Sequence, residues 1–393
     1  MYQFEAEKSP RIAGEHNFLI AAVFLLTGFG LVTLYSASYA FAVRFYGGDG
    51  LHLVSQQLKA AAVGMVGFLL ASQVNLGSLR KLSFLFVIIT MVLCLLTFAP
   101  GIGDIRNGAK RWIKLPGDQT FQPSELVKLV LPLYLAHLFD EKQNRLDKIS
   151  TGVLPQVLIT AAFFTIIYMQ NNFSTAIFIV INALIVFFLG GFRLRYFFSA
   201  SIIIVPLSGL LVLTKEHRLR RLISFFQPEW ELQGTGFQAK NSVDAIVTGG
   251  FWGKGLGQGT RKILSIPEVH SDFIFASFAE ELGFVGIVFF FALFGLFAYL
   301  GYRGALRAPD TFRRLLGCSL VTSIVTQVMV NIGVASRFVP VTGLPLPFFS
   351  AGGSSLLSTL LMAGLVVNVC RSRKDYRSRG FSRNGAGEAA YAG

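Results

Sequence analysis

Charged residues and cysteines are both scarce in this sequence. Asp, Glu, Lys and Arg fill only 14% of the 393 positions, whereas soluble domains carry about 25%. The three cysteines, Cys94, Cys318 and Cys370, stand far apart in or beside apolar runs, which excludes the clustered spacing of a disulfide framework or a zinc site. We also expect no cleavable signal peptide, because the polar segment 1–17 leads into an apolar run long enough to stay as a span.

The net charge of +14 comes without a soluble basic domain or a recognition helix. These absences disfavour nucleic acid as a partner and favour a membrane or an anionic lipid. Apolar residues make up 53% of the sequence, and phenylalanine alone fills 39 positions. A soluble fold could not bury that much apolar surface, so lipid must be the solvent for much of the chain.

A bilayer core needs about 20 apolar residues per helix, and the sequence contains ten runs of roughly that length. They lie near 18–43, 54–73, 82–99, 122–139, 153–169, 173–190, 197–214, 281–301, 315–335 and 355–370. This pattern predicts an all-α, polytopic membrane protein with about ten transmembrane helices. It also predicts a large extracytoplasmic loop, about 215–271, between helices 7 and 8. An even number of spans places both termini on the same side.

Lys and Arg concentrate on the side of both termini, which predicts that this side is cytoplasmic. They occur in the N-terminus, in the short connections on that side and in the tail: Lys8, Arg11, Arg80, Lys81, Lys142, Arg145, Lys148, Arg193, Arg195, Arg303, Arg307, Arg313, Arg314, Arg371, Arg373, Lys374, Arg377, Arg379 and Arg383. The predicted organisation is a cytoplasmic N-terminal segment 1–16, a membrane domain 17–371 and a basic, disordered cytoplasmic tail 372–393.

Two loops on the opposite side, 100–121 and 215–271, are basic against the usual bias. Their cations are Arg106, Lys110, Arg111, Lys114, Lys215, Arg218, Arg220, Arg221, Lys240, Lys254, Arg261 and Lys262. Long loops are translocated largely regardless of charge, so tolerated surface charge is one interpretation. The other is that these exported cations bind an anionic ligand at the outer face.

Two charges interrupt the fourth span. Glu125 and Lys128 are three residues apart, so they share one face of a helix. An ion pair at a helix end can reach the interface without any further role, but charged side chains within a span are costly and usually functional. We therefore predict a functional pair.

A carboxylate at the edge of the eighth span is the strongest candidate for chemistry. Asp272 is followed at once by the apolar residues Phe273-Ile274-Phe275, which places it at the boundary of water and lipid. Partial desolvation there would raise its pKa and make it a better base. His270, Glu280 and Glu281 flank it, and their alternatives are a solvated loop histidine and favourable charge at a helix N-terminus.

Two irregular segments stand near the spans. The glycine-rich segment 249–259 lacks the strand, the helix and the Lys-Ser/Thr ending of a nucleotide-binding loop. It is either a flexible loop or a close approach of backbone N–H groups to a phosphate. The segment 340–355 holds three prolines and three glycines at near-membrane depth, which predicts a re-entrant loop that forms a cavity wall.

Three motifs follow one another along nearly the whole chain. They are 121–129 (FQPSELVKL), 267–275 (PEVHSDFIF) with 280–283 (EELG), and 344–350 (LPLPFFS) with 352–355 (GGSS). In this order they resemble the motifs of the SEDS family (FtsW, RodA and sporulation relatives). The resemblance implies a ten-helix enzyme that polymerises lipid II into peptidoglycan glycan strands on the outer face of the cytoplasmic membrane. It also implies a class B penicillin-binding transpeptidase as partner, alongside other divisome or elongasome membrane proteins.

The resemblance also implies site residues. It maps the essential acidic residue of the family onto Asp272, which makes this residue the expected catalytic one. Substrate-binding residues are expected at Lys110, Arg111, Glu125, Lys128, Lys262, Glu268, His270 and Ser354.

The chain departs from the family pattern at a few positions. Asn171-Asn172 stands where relatives usually show Pro-Asp, Ala351 replaces a usual Tyr, and Ser271 replaces a usual Thr. Within the family, 234–238 and 255–257 look more like the division branch (FtsW), whereas 341–348 looks more like the elongation branch (RodA). We expect the division branch, located at the septum, with a RodA-like elongation polymerase as the alternative.

For such a polymerase we hypothesise a single inverting displacement. Asp272 takes the proton from the acceptor sugar hydroxyl, and cations stabilise the departing diphosphate, with Glu125 orienting one of them. The candidate cations are Lys110, Arg111, Lys128 and Lys262. A divalent cation, Mg²⁺ or Mn²⁺, would suit the same task, but no ligand cluster in the sequence predicts one. The rival interpretations are a transporter that flips lipid II and a structural division scaffold.

Overall fold

The computed structural model describes residues 14–106, 108–116, 119–141, 154–192, 196–197, 202, 206, 209–227, 234–260 and 270–388. Side chains are described in these ranges except at 217, 235 and 372–388. Within these ranges the chain forms twelve helices and one small three-stranded sheet.

Long apolar helices form the body of the molecule. The helices are α1 (Glu15–Phe45), α2 (His52–Ala71), α3 (Leu76–Lys81), α4 (Ser83–Leu96), α5 (Pro123–Glu141), α6 (Leu154–Met169), α7 (Phe173–Leu189), α8 (Glu216–Phe226), α9 (Thr235–Thr248), α10 (Ile274–Leu306), α11 (Thr311–Ala335) and α12 (Gly353–Glu388). In the described ranges, α1, α2, α10, α11 and the part Gly353–Arg371 of α12 are long and apolar enough to cross a bilayer. The shorter helices α4, α6 and α7 are also apolar.

This architecture confirms the predicted all-α, polytopic membrane fold. Nine of the ten predicted spans coincide with a described helix, and the seventh, 197–214, lies largely outside the described residues. Two boundaries differ. α10 begins at Ile274 rather than near 281 because Glu280 and Glu281 find buried partners. α12 continues to Glu388, beyond the end of the tenth predicted span at 370, and the disorder expected of the tail 372–393 stays a prediction.

The loop between α4 and α5 folds into an antiparallel sheet of β1 (Gly103–Arg106), β2 (Ala109–Lys114) and β3 (Thr120–Phe121). On β2, Ala109 and Ile113 are buried, whereas Lys110 and Lys114 are exposed. This alternation follows from the two-residue period of a strand. The sequence does not predict a strand here, because the alternating pattern is short and the loop is highly charged.

The sheet marks one end of the helix bundle, which we call the sheet end. The opposite end carries the start of α1 and the end of α10, joined by ion pairs of Glu15 with Arg303 at 3.3 Å and with Arg307 at 3.1 Å. Arg80 and Asp140 form another pair there, at 2.6 Å. The long, charged side chains at this end therefore bind one another where the apolar spans stop.

α10 breaks at Gly283, whose φ is 63° and ψ is −160°. The break takes two carbonyls and two N–H groups out of the helical pattern, and the glycine-rich segment binds all four. The bonds run from Lys254 N to Glu280 O at 3.0 Å, from Gly255 N to Glu281 O at 3.0 Å, from Phe284 N to Gly250 O at 2.9 Å and from Val285 N to Phe251 O at 3.2 Å. Backbone groups at membrane depth need such internal partners.

The two acids beside the break, Glu280 and Glu281, also hold the glycine-rich segment against α10. Glu280 is fully buried and accepts hydrogen bonds from Lys254 Nζ and from Thr260 N. Glu281 is also buried and accepts from the hydroxyl of Ser36, which in turn accepts from Gly257 N at 3.0 Å. A phosphate cradle built from the N–H groups of 254, 255 and 257 is therefore wrong, because those donors already bind protein acceptors.

Gly283→Ala tests this docking. A left-handed φ costs a non-glycine residue about 1–2 kcal/mol, and the added Cβ would lie 2.2 Å from Gly253 N. We expect a loss of about 2–4 kcal/mol in the free energy of unfolding, measured by titrating the detergent-solubilised protein with SDS.

Gly295→Ala is the control in the same helix, since no atom lies within 4 Å of the added Cβ. Alanine is the better helix former by up to about 1 kcal/mol, so this variant should be no less stable than the parent. Equal stability of the two variants would contradict the docking.

Candidate active site

Asp272 lies at the sheet end, two residues before α10 begins at Ile274, and it is half-buried. Its backbone carbonyl accepts a hydrogen bond from Asn331 Nδ2 of α11 at 3.0 Å. Its Oδ2 atom lies beside Gly343, where an added Cβ would come within 3.4 Å of it. The acid is therefore positioned between α11 and the irregular segment 340–352.

The segment 340–352 is tied on one side to α2. Gln57, a buried residue of α2, donates to Ser350 O and accepts from Gly352 N, both at 3.0 Å. The Ser350 hydroxyl donates in turn to the carbonyl of Ser271, next to the acid. A helix residue thus fixes the irregular segment, and the segment fixes the backbone beside Asp272.

Two buried amides of α11 hold the other side of the segment. Gln327 donates to Pro345 O at 2.7 Å, and Asn331 donates to Leu344 O at 2.8 Å. Because the two amides are four residues apart, they lie on one face of the helix. The sequence contains this pattern, and two amides at that spacing inside an apolar span indicate a specific role, because polar side chains are costly there. Their role is not predicted from the sequence.

Glu125 and Lys128 form a buried ion pair that extends this network. Lys128 is 1% exposed and Glu125 is 3% exposed. Lys128 Nζ lies 2.8 Å and 2.9 Å from the two carboxylate oxygens and 3.0 Å from Gln327 Oε1. Through Gln327 the pair is linked to Pro345 O and so to the segment beside Asp272.

These contacts use all three N–H groups of the Lys128 ammonium on protein acceptors. Its direct contact with a diphosphate stays a prediction. The observed contacts favour a positioning role for Lys128 and Glu125.

Arg111 is the predicted cation that the fold brings to the acid. Its guanidinium donates to the carbonyl of Asn171, a residue with a left-handed φ of 59°. The pKa of Arg111 is lowered to about 10, mainly by burial and also by the positive charge of Arg221, whereas the negative charge of Asp272 acts in the opposite direction. Arg221 and Asp272 are therefore close enough for their charges to act on Arg111. Lys110, predicted to act beside Arg111, is exposed on the opposite face of β2.

His270 packs its ring against Phe41 of α1, with 4.6 Å between the ring centroids. Its carbonyl accepts from Ala351 N at 2.9 Å. Burial lowers the pKa of the His270 imidazole to about 4. The ring is therefore neutral at physiological pH, which favours a hydrogen-bonding role over a cationic one.

The remaining predicted residues are Ser354, Lys262 and Glu268. The hydroxyl of Ser354, at the start of α12, accepts from Gln122 N at 2.9 Å and so ties α12 to the strand before α5. Lys262 and Glu268 lie outside the described residues, and their roles stay predictions. Within the described ranges, no group of three or more His, Cys, Asp and Glu side chains is arranged to hold a metal ion.

Several buried polar atoms around Asp272 have no hydrogen-bond partner among the described residues. They are Arg111 Nε, His270 Nδ1, Asn331 Oδ1 and Thr342 Oγ1. A buried donor or acceptor without a partner costs about 1–3 kcal/mol, so such atoms are usually satisfied by water or a ligand. Four of the twelve such atoms in the described residues belong to this region, and together with the charges of Asp272 and Arg111 they mark it as the candidate active site.

The profile of the FtsW/RodA/SpoVE cell cycle proteins matches residues 16–375. A probable peptidoglycan glycosyltransferase FtsW from Geobacter sp. (strain M18) is 35% identical over 91% of this chain and 97% of that protein. Stage V sporulation protein E from Bacillus subtilis is 36% identical over 90% of this chain and 96% of that protein.

Solved structures agree with these relatives. A chain from a peptidoglycan synthase complex, described as coordinating polymerisation and crosslinking, superposes with a TM-score of 0.74 at 28% identity. It covers 90% of this chain and 97% of its own length. The rod shape determining protein RodA of Thermus thermophilus superposes with a TM-score of 0.65, also at 28% identity, over 90% of this chain and 96% of its own.

Lys128→Met tests the buried pair. It leaves the Glu125 carboxylate buried without its cation, which should lower the free energy of unfolding by about 3–5 kcal/mol. Adding Glu125→Gln removes the remaining charge, so the double variant should regain most of that loss. The measurement is the SDS titration of each variant, with Lys59→Met on the exposed face of α2 as a control that should change stability by less than about 0.5 kcal/mol. A double variant as unstable as Lys128→Met would contradict the coupling.

The lowered pKa of His270 predicts a pH dependence of stability. The imidazole titrates near pH 6.5 when unfolded and near pH 4 when folded, so its contribution is complete above pH 6.5 and is lost as the pH falls toward 4. Between pH 7 and pH 5 the loss should be about 2 kcal/mol. His270→Gln should flatten this dependence and His52→Gln should not; the same slope in all three proteins would contradict it.

Proposed function

This chain belongs to the FtsW/RodA/SpoVE family, and we propose that it polymerises lipid II into peptidoglycan glycan strands. The name of the Geobacter relative, a peptidoglycan glycosyltransferase, supports this activity. The observation that carries the chemistry is the arrangement around Asp272: the charges of this half-buried carboxylate and of Arg221 both act on the Arg111 guanidinium, and several buried polar atoms of this region have no hydrogen-bond partner among the described residues. That arrangement suits a reaction in which a base and an anionic leaving group lie close together.

Asp272 acts as the general base. Its carboxylate removes the proton from the acceptor sugar hydroxyl while that oxygen bonds to the anomeric carbon of the lipid-linked chain. The bond from the anomeric carbon to the diphosphate breaks, and the lipid diphosphate leaves with the electron pair. The configuration at the anomeric carbon inverts, and the proton on Asp272 is then lost to water. A positioned base of this kind contributes about 10²–10⁴-fold to a rate.

Arg111 stabilises the negative charge that develops on the departing diphosphate. Lys128 and Glu125 act indirectly. Their pair orients Gln327, and Gln327 holds the carbonyl of Pro345. A displaced segment 340–352 would move Gly343 relative to the Asp272 carboxylate. In this proposal the ion pair therefore acts by positioning the base.

The sheet end faces the outside of the cytoplasmic membrane, with both termini in the cytoplasm. The distribution of Lys and Arg supports this orientation, since most short connections at the opposite end are basic. Lipid II must present its sugars to an outer site for the glycan to be built there, and the sheet end carries Asp272 and Arg111.

The polymerase acts in division at the septum, together with a class B penicillin-binding transpeptidase. The FtsW relatives support the division role, and the similarity to a chain of a synthase complex that coordinates polymerisation and crosslinking supports the partner. The segment 341–348 favours the elongation role as the alternative. Imaging a fluorescent fusion distinguishes the two, because septal signal supports division and side-wall signal supports elongation.

A lipid II transporter is the second candidate, and the buried ion pair of α5 favours it, since charges within spans often mark transport paths. Polymerisation in detergent distinguishes the two functions. A polymerase works there, whereas a transporter has no second leaflet to serve.

Asp272→Asn tests the proposed function. The amide keeps the shape of the carboxylate but cannot accept the proton, so lipid II polymerisation by the purified protein in detergent should fall by about 10²-fold or more. The assay contains the class B transpeptidase of the same host and separates the products by glycan length.

Asp49→Asn is the matched control, because Asp49 lies at the same end in an exposed turn, 3.7 Å from His52. It should polymerise at the rate of the parent protein. Full activity of the Asp272→Asn protein would refute the assignment of the base.

A further inference from the structure

We propose that Arg221 of α8 joins Arg111 in a two-guanidinium site that holds the diphosphate of the lipid-linked glycan beside Asp272. This inference rests on the proposed function, and it adds a residue to which the sequence motifs assign no role.

α8 is docked by a neighbouring arginine, and this leaves Arg221 available for a ligand. The guanidinium of Arg218 lies 4.7 Å from the ring centroid of Tyr168 and 4.6 Å from that of Phe173. It also donates to Tyr168 Oη at 3.1 Å and to Leu211 O at 2.9 Å. Arg221 follows three residues later and so lies on the same face of α8. The docking of Arg218 therefore carries Arg221 to the acid without using its charge.

Arg221 reaches the irregular segment close to the acid. Its Nη1 lies 3.5 Å from Val341 O, and Gly343, two residues along, lies beside Asp272 Oδ2. Between them stands Thr342, whose buried Oγ1 has no hydrogen-bond partner among the described residues. The Arg221 guanidinium, the Thr342 hydroxyl and the Asp272 carboxylate thus lie along the three consecutive residues 341–343.

Arg111 brings a second guanidinium from the sheet. The carbonyl of Asn171 anchors one of its nitrogens, while its buried Nε has no partner among the described residues. Two guanidinium groups repel each other, and the charge of Arg221 lowers the pKa of Arg111 accordingly. One carboxylate offsets only part of two positive charges, so an anion with more than one negative charge would stabilise the pair.

A diphosphate fits these groups better than a single carboxylate would. Guanidinium groups bind phosphate oxygens through two parallel N–H donors, and a threonine hydroxyl supplies one more donor. The diphosphate of a lipid-linked glycan also has to lie close to the base, because the bond that breaks joins it to the reacting anomeric carbon. Arg111 and Arg221 would then stabilise both the bound substrate and the departing group.

Arg220 provides a matched control in the same helix. It is exposed and its Nη2 lies 2.7 Å from Glu216 Oε1, so its charge is already paired with an acid of the same helix. Arg220→Gln removes the same charge from the same turn of α8. Any effect of net charge alone would therefore appear equally in Arg220→Gln and Arg221→Gln.

The experiment measures lipid II polymerisation in detergent by the full-length protein with its transpeptidase. Arg221→Gln should raise KM about 10-fold or more with a smaller effect on kcat, and it should weaken inhibition by inorganic pyrophosphate by a similar factor. Arg221→Lys should fall between this variant and the parent, because it keeps the charge but loses the paired donors. Arg220→Gln should match the parent in both measurements.

Two outcomes would overturn the inference. One is unchanged KM and unchanged pyrophosphate inhibition in Arg221→Gln. The other is a fall in kcat with unchanged pyrophosphate inhibition, in Arg221→Lys as in Arg221→Gln, which would assign Arg221 a purely structural role. Loss of activity in Asp272→Asn alongside either outcome leaves the proposed function standing, whereas an active Asp272→Asn protein removes the proposed function itself.

Discussion

Backbone N–H and C=O groups inside a bilayer must find partners within the protein, because lipid offers none. Two parts of the sheet end depart from regular helix and face this constraint: the break in α10 at Gly283 and the segment 340–352. The glycine-rich segment binds the first, and the amides of Gln57, Gln327 and Asn331 bind the second. Irregular backbone at membrane depth therefore has a dedicated partner at each place.

The same partners position the acid. Asn331 donates to the carbonyls of both Asp272 and Leu344, so one side chain sets the spacing between the acid and the irregular segment. The buried pair of Glu125 and Lys128 reaches that segment through Gln327. A charge pair inside a span is costly to bury, and it is retained here as part of a connected network that fixes the site.

Hydropathy is sufficient to predict most spans, because a helix must be apolar over about 20 residues to cross a bilayer. The position of Asp272 just before a helix also follows from sequence, since it directly precedes an apolar run. Other features depend on contacts that sequence does not show. The early start of α10 requires Ser36 and Lys254 to meet the buried acids, and strand formation places Lys110 and Arg111 on opposite faces of β2.

The arginines of the basic loops at the sheet end differ in their partners. Arg218 stacks between two aromatic rings, and Arg220 is paired with Glu216. Both guanidinium groups thus have protein contacts, and counting charges in the sequence cannot separate them from Arg111 and Arg221. Arg111 belongs to the sheet and Arg221 to α8, and the charges of Arg221 and Asp272 both act on Arg111. Since like charges repel, a fold that brings them together gains from doing so only when an anion lies between them.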